Sequence, residues 1–195
     1  MIPSIDRRKF LHASTALAVG GLFLHGRLAA QGSPDATPAP AKKPPPRPPA
    51  LAPADVQATV GVAHRSLEDL KKLVEATPLL VNACWDWGGG DFETPLQAAA
   101  HTGGREIALY LLSKGARQDI FAAAMLGQLD FVKAAHAVDP RAHEIPGPHG
   151  FTLLHCAKSG GEQAKDVVGW LLVNGVPDVT FRPLPHVWPE GTAPG

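Results

Sequence analysis

The residue types able to do chemistry gather in two stretches of this chain. The first, Cys84-Trp85-Asp86-Trp87-Gly88-Gly89-Gly90-Asp91-Phe92-Glu93, sets two indoles, a thiol and three carboxylates around a triple glycine. Tryptophan is enriched where one protein grips another, and glycines make a loop tip adaptable. Trp85, Asp86, Trp87, Asp91, Phe92 and Glu93 are therefore the candidate partner-binding residues. A second reading stands beside it: Trp85 and Trp87 fold back as a cover over apolar surface, and the glycines only permit the turn.

The second stretch runs from Pro140 to Gly150 and holds His143, Glu144 and His149. A metal site needs more ligands at fixed geometry, and these histidines lie on a Pro-Gly loop without helical spacing. They are read as solvent-exposed, and no metal or cofactor is expected. His64, His101 and His136 fall at the ends of helical stretches and receive no chemical role. The sequence has no Gly-x-Ser-x-Gly, no phosphate-cradling glycine loop and no His-Glu-x-x-His. Cys156 follows His155 but sits in a stretch read as a core helix, where a nucleophile lacks access. No enzymatic activity is expected.

Charge is unevenly spread. Residues 1–30 carry a net +3 and residues 31–53 a net +2, which leaves −5 on residues 54–195. Phosphate binding needs clustered Lys and Arg, so nucleic acid is not an expected partner.

The first fifty residues read as an address and a tether. Asp6-Arg7-Arg8-Lys9-Phe10-Leu11 resembles the twin-arginine export motif, with Arg7, Arg8, Phe10 and Leu11 on its core positions. The weakly apolar run Ala13 to Leu24 is too short for a bilayer span, which takes about 20 residues. Cleavage is placed after Ala30. The resemblance implies a bacterial protein exported to the periplasm or cell envelope by the twin-arginine (Tat) translocase, with no stable membrane span in the mature form. From Ser33 to Pro53 there are nine prolines. Proline fixes φ and removes a donor, so residues 31–53 are expected as an extended linker.

Stepping along the chain from residue 54, self-similar units appear. The clearest is Thr94-Pro95-Leu96-Gln97-Ala98-Ala99-Ala100-His101-Thr102-Gly103-Gly104-Arg105-Glu106-Ile107, continuing through Leu111-Leu112 to Gly115-Ala116. It resembles the ankyrin repeat, departing at Gln97 where the family usually has His. Thr94 is a helix cap, Pro95 suits a first turn, and Gly103 or Gly104 ends that helix. Ile107, Ala108 and Leu111 recur at helical spacing as the buried stripe of a second helix. Weaker copies lie at Ala54–Val74, Asp119–Val132 and Thr152–Gly175. Their aligned acids Glu68, Glu106, Asp130 and Asp166 stand 38, 24 and 36 residues apart. The ankyrin period is about 33, so the long intervals enlarge the loops at 82–92 and 138–151.

The expected fold is all-α: an ankyrin-repeat solenoid of about four helix-turn-helix repeats over 54–180, with a proline-rich tail over 181–195. Cys84 and Cys156 then fall two units apart, too far to bridge, and both are expected as free, mostly buried thiols. His155 is the structural histidine of its repeat. The resemblance implies a protein–protein interaction module in the cell envelope. Two alternatives are an accessory or protective subunit of an exported redox enzyme, and a small-ligand or metal-binding protein.

Overall fold

A computed structural model describes residues 47–182. The twin-arginine motif at Arg7, Arg8, Phe10 and Leu11, the signal 1–30, most of the linker 31–53 and the tail beyond Arg182 lie outside the described residues.

Eight α-helices are present among the described residues. They are α1 (Pro53–Ala63), α2 (Leu67–Ala76), α3 (Pro95–Thr102), α4 (Arg105–Ser113), α5 (Ile120–Met125), α6 (Leu129–Val138), α7 (Leu153–Ser159) and α8 (Lys165–Val173). Each odd helix packs on the even one after it, and α1, α3, α5 and α7 pack in succession side by side. No described helix is long and apolar enough to cross a membrane. Two short strands, β1 (Trp85–Asp86) and β2 (Phe92–Glu93), form an antiparallel hairpin between α2 and α3. The enlarged loop expected over 82–92 thus contains a hairpin.

The helices α3, α5 and α7 start where side chains satisfy backbone N–H groups that have no partner within the helix. Thr94 accepts from the Gln97 N–H, and the Gln97 side chain accepts from the Thr94 N–H at 3.0 Å. This reciprocal capping box gives Gln97 its use where the repeat motif usually has His. Asp119 caps α5 through the Ala122 N–H at 2.8 Å, and Thr152 caps α7 through the His155 N–H at 3.1 Å. Pro53, assigned to the linker in the sequence, instead heads α1, where its missing donor is no loss.

The core runs through the row of odd helices. Ala98, Ala99, Ala100, Ala122, Ala123 and Ala124 are fully buried, and their small side chains let α3 and α5 approach. Leu70, Leu111, Val132, Val167 and Leu171 supply the larger apolar faces of the even helices. Removing any one of these leucines to alanine costs about 2–5 kcal/mol. Gly103 (φ 74°) and Gly127 (φ 76°) end α3 and α5, and both turns abut the chain around the end of α7. A Cβ on either would run into a backbone carbonyl, of Ser159 and Gln163 respectively.

Polar staples tie successive units together. Asn82 donates to the Gly115 carbonyl at 2.9 Å and accepts from the Arg117 N–H at 2.8 Å. Beyond α8 the chain returns to the stack: Thr152 N–H donates to Thr180, Arg182 N–H donates to Gly150, and Phe181 pairs with Phe151.

Candidate functional site

The hairpin is built by its glycines. Gly88, Gly89 and Gly90 all have positive φ, at 129°, 63° and 89°, a run that L side chains do not support. The Asp86 carboxylate holds the turn by accepting from Gly88 N–H at 2.9 Å and Gly90 N–H at 3.1 Å. Strand alternation then sends neighbouring side chains to opposite faces. Phe92 points to solvent at 60% exposure, and Glu93 points inward at 0%.

Glu93 sits among three imidazoles from three other segments. His101, in the last turn of α3, brings Nε2 to 2.9 Å from Oε1. His64, just past α1, brings Nε2 to 3.5 Å from Oε2, and His149, in the turn before α7, does the same at 3.5 Å. Trp87 Nε1–H donates to Oε2 at 2.7 Å. Four ligand-type atoms, one from each of His64, Glu93, His101 and His149, lie within 4.8 Å of one another. A cavity of about 310 Å³ lined by Gly61, His64, Arg65, Trp87 and His149 reaches the cluster from solvent.

Two of the rings are held from behind. His64 Nδ1 lies 3.0 Å from the Val60 carbonyl, which can only accept, so Nδ1 carries the hydrogen. His149 Nδ1 lies 2.7 Å from Asp91 Oδ2, and its backbone N–H donates to Asp91 Oδ1 at 2.9 Å. Asp91 is 3% exposed, and each of its carboxylate oxygens accepts from His149. It fixes His149 in the left-handed region (φ 57°), the one non-glycine there among the described residues.

The electrostatics follow from this packing. Burial works to raise the Glu93 carboxyl, but the His101 hydrogen bond and the His149 and His64 imidazoles beside it overcome this and hold it well below the usual range. For His64, burial pulls the imidazole down, while the adjacent Glu93 carboxylate raises it on balance. The adjacent Glu93 carboxylate likewise raises His149 against burial, with Asp91 adding to it.

Of the residues picked from sequence, Phe92 and Trp87 stay on the surface, Asp86 is spent on its turn, and Trp85 is half-buried. Asp91 and Glu93 face inward. His149, read as exposed, is part of the cluster, and its side chain is 21% exposed. His143 packs near His136, ring centroids 5.8 Å apart, and its Nδ1 is buried without a partner. His64 and His101 had no assigned role. The usable signal was their equivalent placing, each at the C-terminal end of a first helix, on helices that pack together. Cys84 is exposed rather than buried, and Cys156 is buried. His155 Nε2 meets the His101 carbonyl at 3.0 Å, tying α7 to α3.

A second feature lies beside the hairpin. An apolar groove of about 260 Å³ runs between it and the 145–148 segment, lined by Phe92, Gln97, Phe121, Ile145, Pro146 and Pro148. Phe92 and Ile145 are 60% and 55% exposed on its rim.

Residues 91–124 match the ankyrin repeat family model. The matched segment begins at Asp91, takes in β2, α3 and α4, and reaches into α5. Two members of the cluster, Glu93 and His101, thus fall within the ankyrin repeat itself. The match supports the ankyrin-repeat family and, with it, a role in binding proteins. No curated protein matches the chain.

Proposed function

We propose that this chain is an exported protein–protein interaction module, a four-unit ankyrin-type solenoid that holds a partner's apolar segment between the hairpin and the 145–148 loop. The ankyrin-repeat match at 91–124 supports the class of function. One observation carries the choice of face: Phe92 and Ile145 stand exposed on the two rims of one apolar groove. Large apolar side chains paired around a concavity are typical of contact surfaces. The α5–α6 and α7–α8 pairs repeat the α3–α4 pattern of a capped first helix followed by a second helix with a buried apolar face, and α1–α2 repeats the pairing without the side-chain cap, which supports reading them as further repeats. Recognition occurs at loop tips, and the helices serve as a rigid stack beneath them.

A photoreactive amino acid placed at Phe92 or Ile145, with Leu109 and Val173 as exposed controls elsewhere, tests the face in the native cell. Discrete adducts from 92 and 145 and none from the controls support it. Equal labelling from all four positions, or none from the groove, rejects it.

Export rests on the motif Arg7-Arg8-Lys9-Phe10-Leu11. A reporter fused after Ala30 is expected outside the cytoplasm, and changing Arg7 and Arg8 to Lys is expected to block it. A reporter that stays inside, or that leaves with both arginines changed, contradicts this reading.

A further inference from the structure

We infer that His64, Glu93, His101 and His149 form a binding site for one divalent cation of the zinc class, a structural clip inside the fold. The donor set is three imidazole nitrogens and one carboxylate oxygen, a set suited to zinc and its divalent neighbours and lacking the thiolates that favour Cu(I) or iron–sulfur clusters.

His64 Nδ1–H is committed to the Val60 carbonyl, and His149 Nδ1–H to the Asp91 carboxylate. The remaining nitrogen of each ring, Nε2, faces the Glu93 carboxylate at 3.5 Å. In a neutral ring that nitrogen presents a lone pair, so a positive centre must lie between it and the anion. A proton on Nε2 is one candidate and a metal ion the other. Length separates them. A charged N–H···O bond runs about 2.7–2.9 Å. Two ligands of one tetrahedral zinc, with bonds near 2.0–2.1 Å, lie about 3.3 Å apart. The 3.5 Å separations match the edge of a coordination tetrahedron better than a hydrogen bond. The His101 ring meets the other carboxylate oxygen, Oε1, at 2.9 Å, so it must give up that hydrogen bond to ligate, and the widest separation among the four ligand atoms, within 4.8 Å, must close.

Charge points the same way. Glu93 and Asp91 are two buried carboxylates, and among the described residues their ion-pair partners are all histidines, with no lysine or arginine. Buried anions need compensation, and one dication balances both. The surroundings are those of a supported metal ligand set. Asp91 behind His149 is the carboxylate–histidine pairing that orients a ligand ring. The Val60 carbonyl does the same for His64, and Trp87 Nε1–H holds the ligating carboxylate. The cavity beside Trp87 offers an entry path.

The consequence is mechanical. One ion would join α1, β2, α3 and the turn before α7, positions 64 to 149 of the chain. It would fix the hairpin against the 145–149 segment and so set the width of the apolar groove. The site stands independently of the interaction role, since a metal would bind whether or not a partner does.

The test uses the full chain without an affinity tag, stripped by chelator and titrated with Co²⁺ and then Zn²⁺. Expected are one Co²⁺ per chain, visible ligand-field bands of the intensity given by a four-coordinate site, and their loss as Zn²⁺ displaces cobalt. Asp91→Asn should weaken Zn²⁺ binding by about 10–100-fold, the usual effect of losing a supporting partner, and His64→Gln, His149→Gln and Glu93→Gln by more. Cys84→Ser should leave binding unchanged. Far-ultraviolet circular dichroism on each variant reports folding, and His64→Gln and His149→Gln, at the half-exposed positions, serve if Glu93→Gln unfolds. The inference is overturned if the folded chain binds no cobalt, if the bands are those of a six-coordinate surface ion, or if folded His64→Gln and His149→Gln bind zinc as tightly as the parent.

Discussion

His149 donates both its backbone N–H and its ring Nδ1–H to a single carboxylate, that of Asp91, 58 positions earlier in the chain. The pair joins the end of the hairpin turn to the turn that precedes α7. It also holds His149 at φ 57°, a conformation that costs a non-glycine residue about 1–3 kcal/mol unless its surroundings impose it.

Removing that carboxylate tests the clamp. Asp91→Ala deletes two buried hydrogen bonds to a charged group and leaves the left-handed turn uncompensated. An unfolding free energy lower by about 2–4 kcal/mol is expected from urea denaturation with chelator present, so that a bound ion does not contribute. A loss under about 0.5 kcal/mol, the ordinary effect of a surface change, means the clamp is not made in solution.

The two thiols should differ sharply. Cys156 is buried in α7, and burial pushes its thiol up to about 12. Cys84 is exposed, with burial of part of the side chain and then the Glu93 and Asp86 charges raising it. A thiol-reactive dye on the native chain is expected to label one site, slowly, and a second only after unfolding. Mass spectrometry assigns them, and native labelling of Cys156 contradicts the packing of α7 between α5 and α8.

Asp119 gives a pH test away from the histidine cluster. Burial raises its carboxyl above the ordinary 3.8, opposed by hydrogen bonds from the Ala122 N–H and the Gln97 side chain. The folded chain therefore keeps this proton to higher pH than the unfolded chain. Its contribution is complete below 3.8 and is lost as pH rises through the raised value. Asp119→Asn keeps a capping oxygen and does not titrate, so its stability relative to the parent should improve as pH rises from about 3 to about 6. Asp119→Ala loses the cap at both ends of that range, at about 1 kcal/mol. Parallel pH profiles for the Asn variant and the parent would refute the burial argument.

The parts legible in sequence are those set by local spacing. Thr94-Pro95, the alanine run and Gly103 write α3 residue by residue, and the stripe Ile107, Ala108, Leu111 writes α4. The hairpin was harder, because its strands are two residues each and its signal is three glycines whose left-handed run only the backbone reveals. Once Phe92 and Glu93 belong to a strand, one must face out and the other in. The loop reading had no such alternation, so it offered Asp91 and Glu93 as contact residues. The cluster around Glu93 was not legible at all by spacing. Its members come from α1, β2, α3 and a turn, and nothing within any one segment announces the other three. Only the packing of α1 on α3, and the return of the chain before α7, brings them together.

The claim on which the functional account turns is that the groove between Phe92 and Ile145 holds the partner. With a photocrosslinked partner identified and purified, calorimetric affinity for the parent, for Phe92→Ala with Ile145→Ala, and for Leu109→Ala with Val173→Ala measures it directly. A loss of at least about tenfold, near 1.4 kcal/mol, is expected for the groove pair and none for the control pair. Equal affinities for parent and groove pair, with both folded, or a loss confined to the control pair, would contradict it.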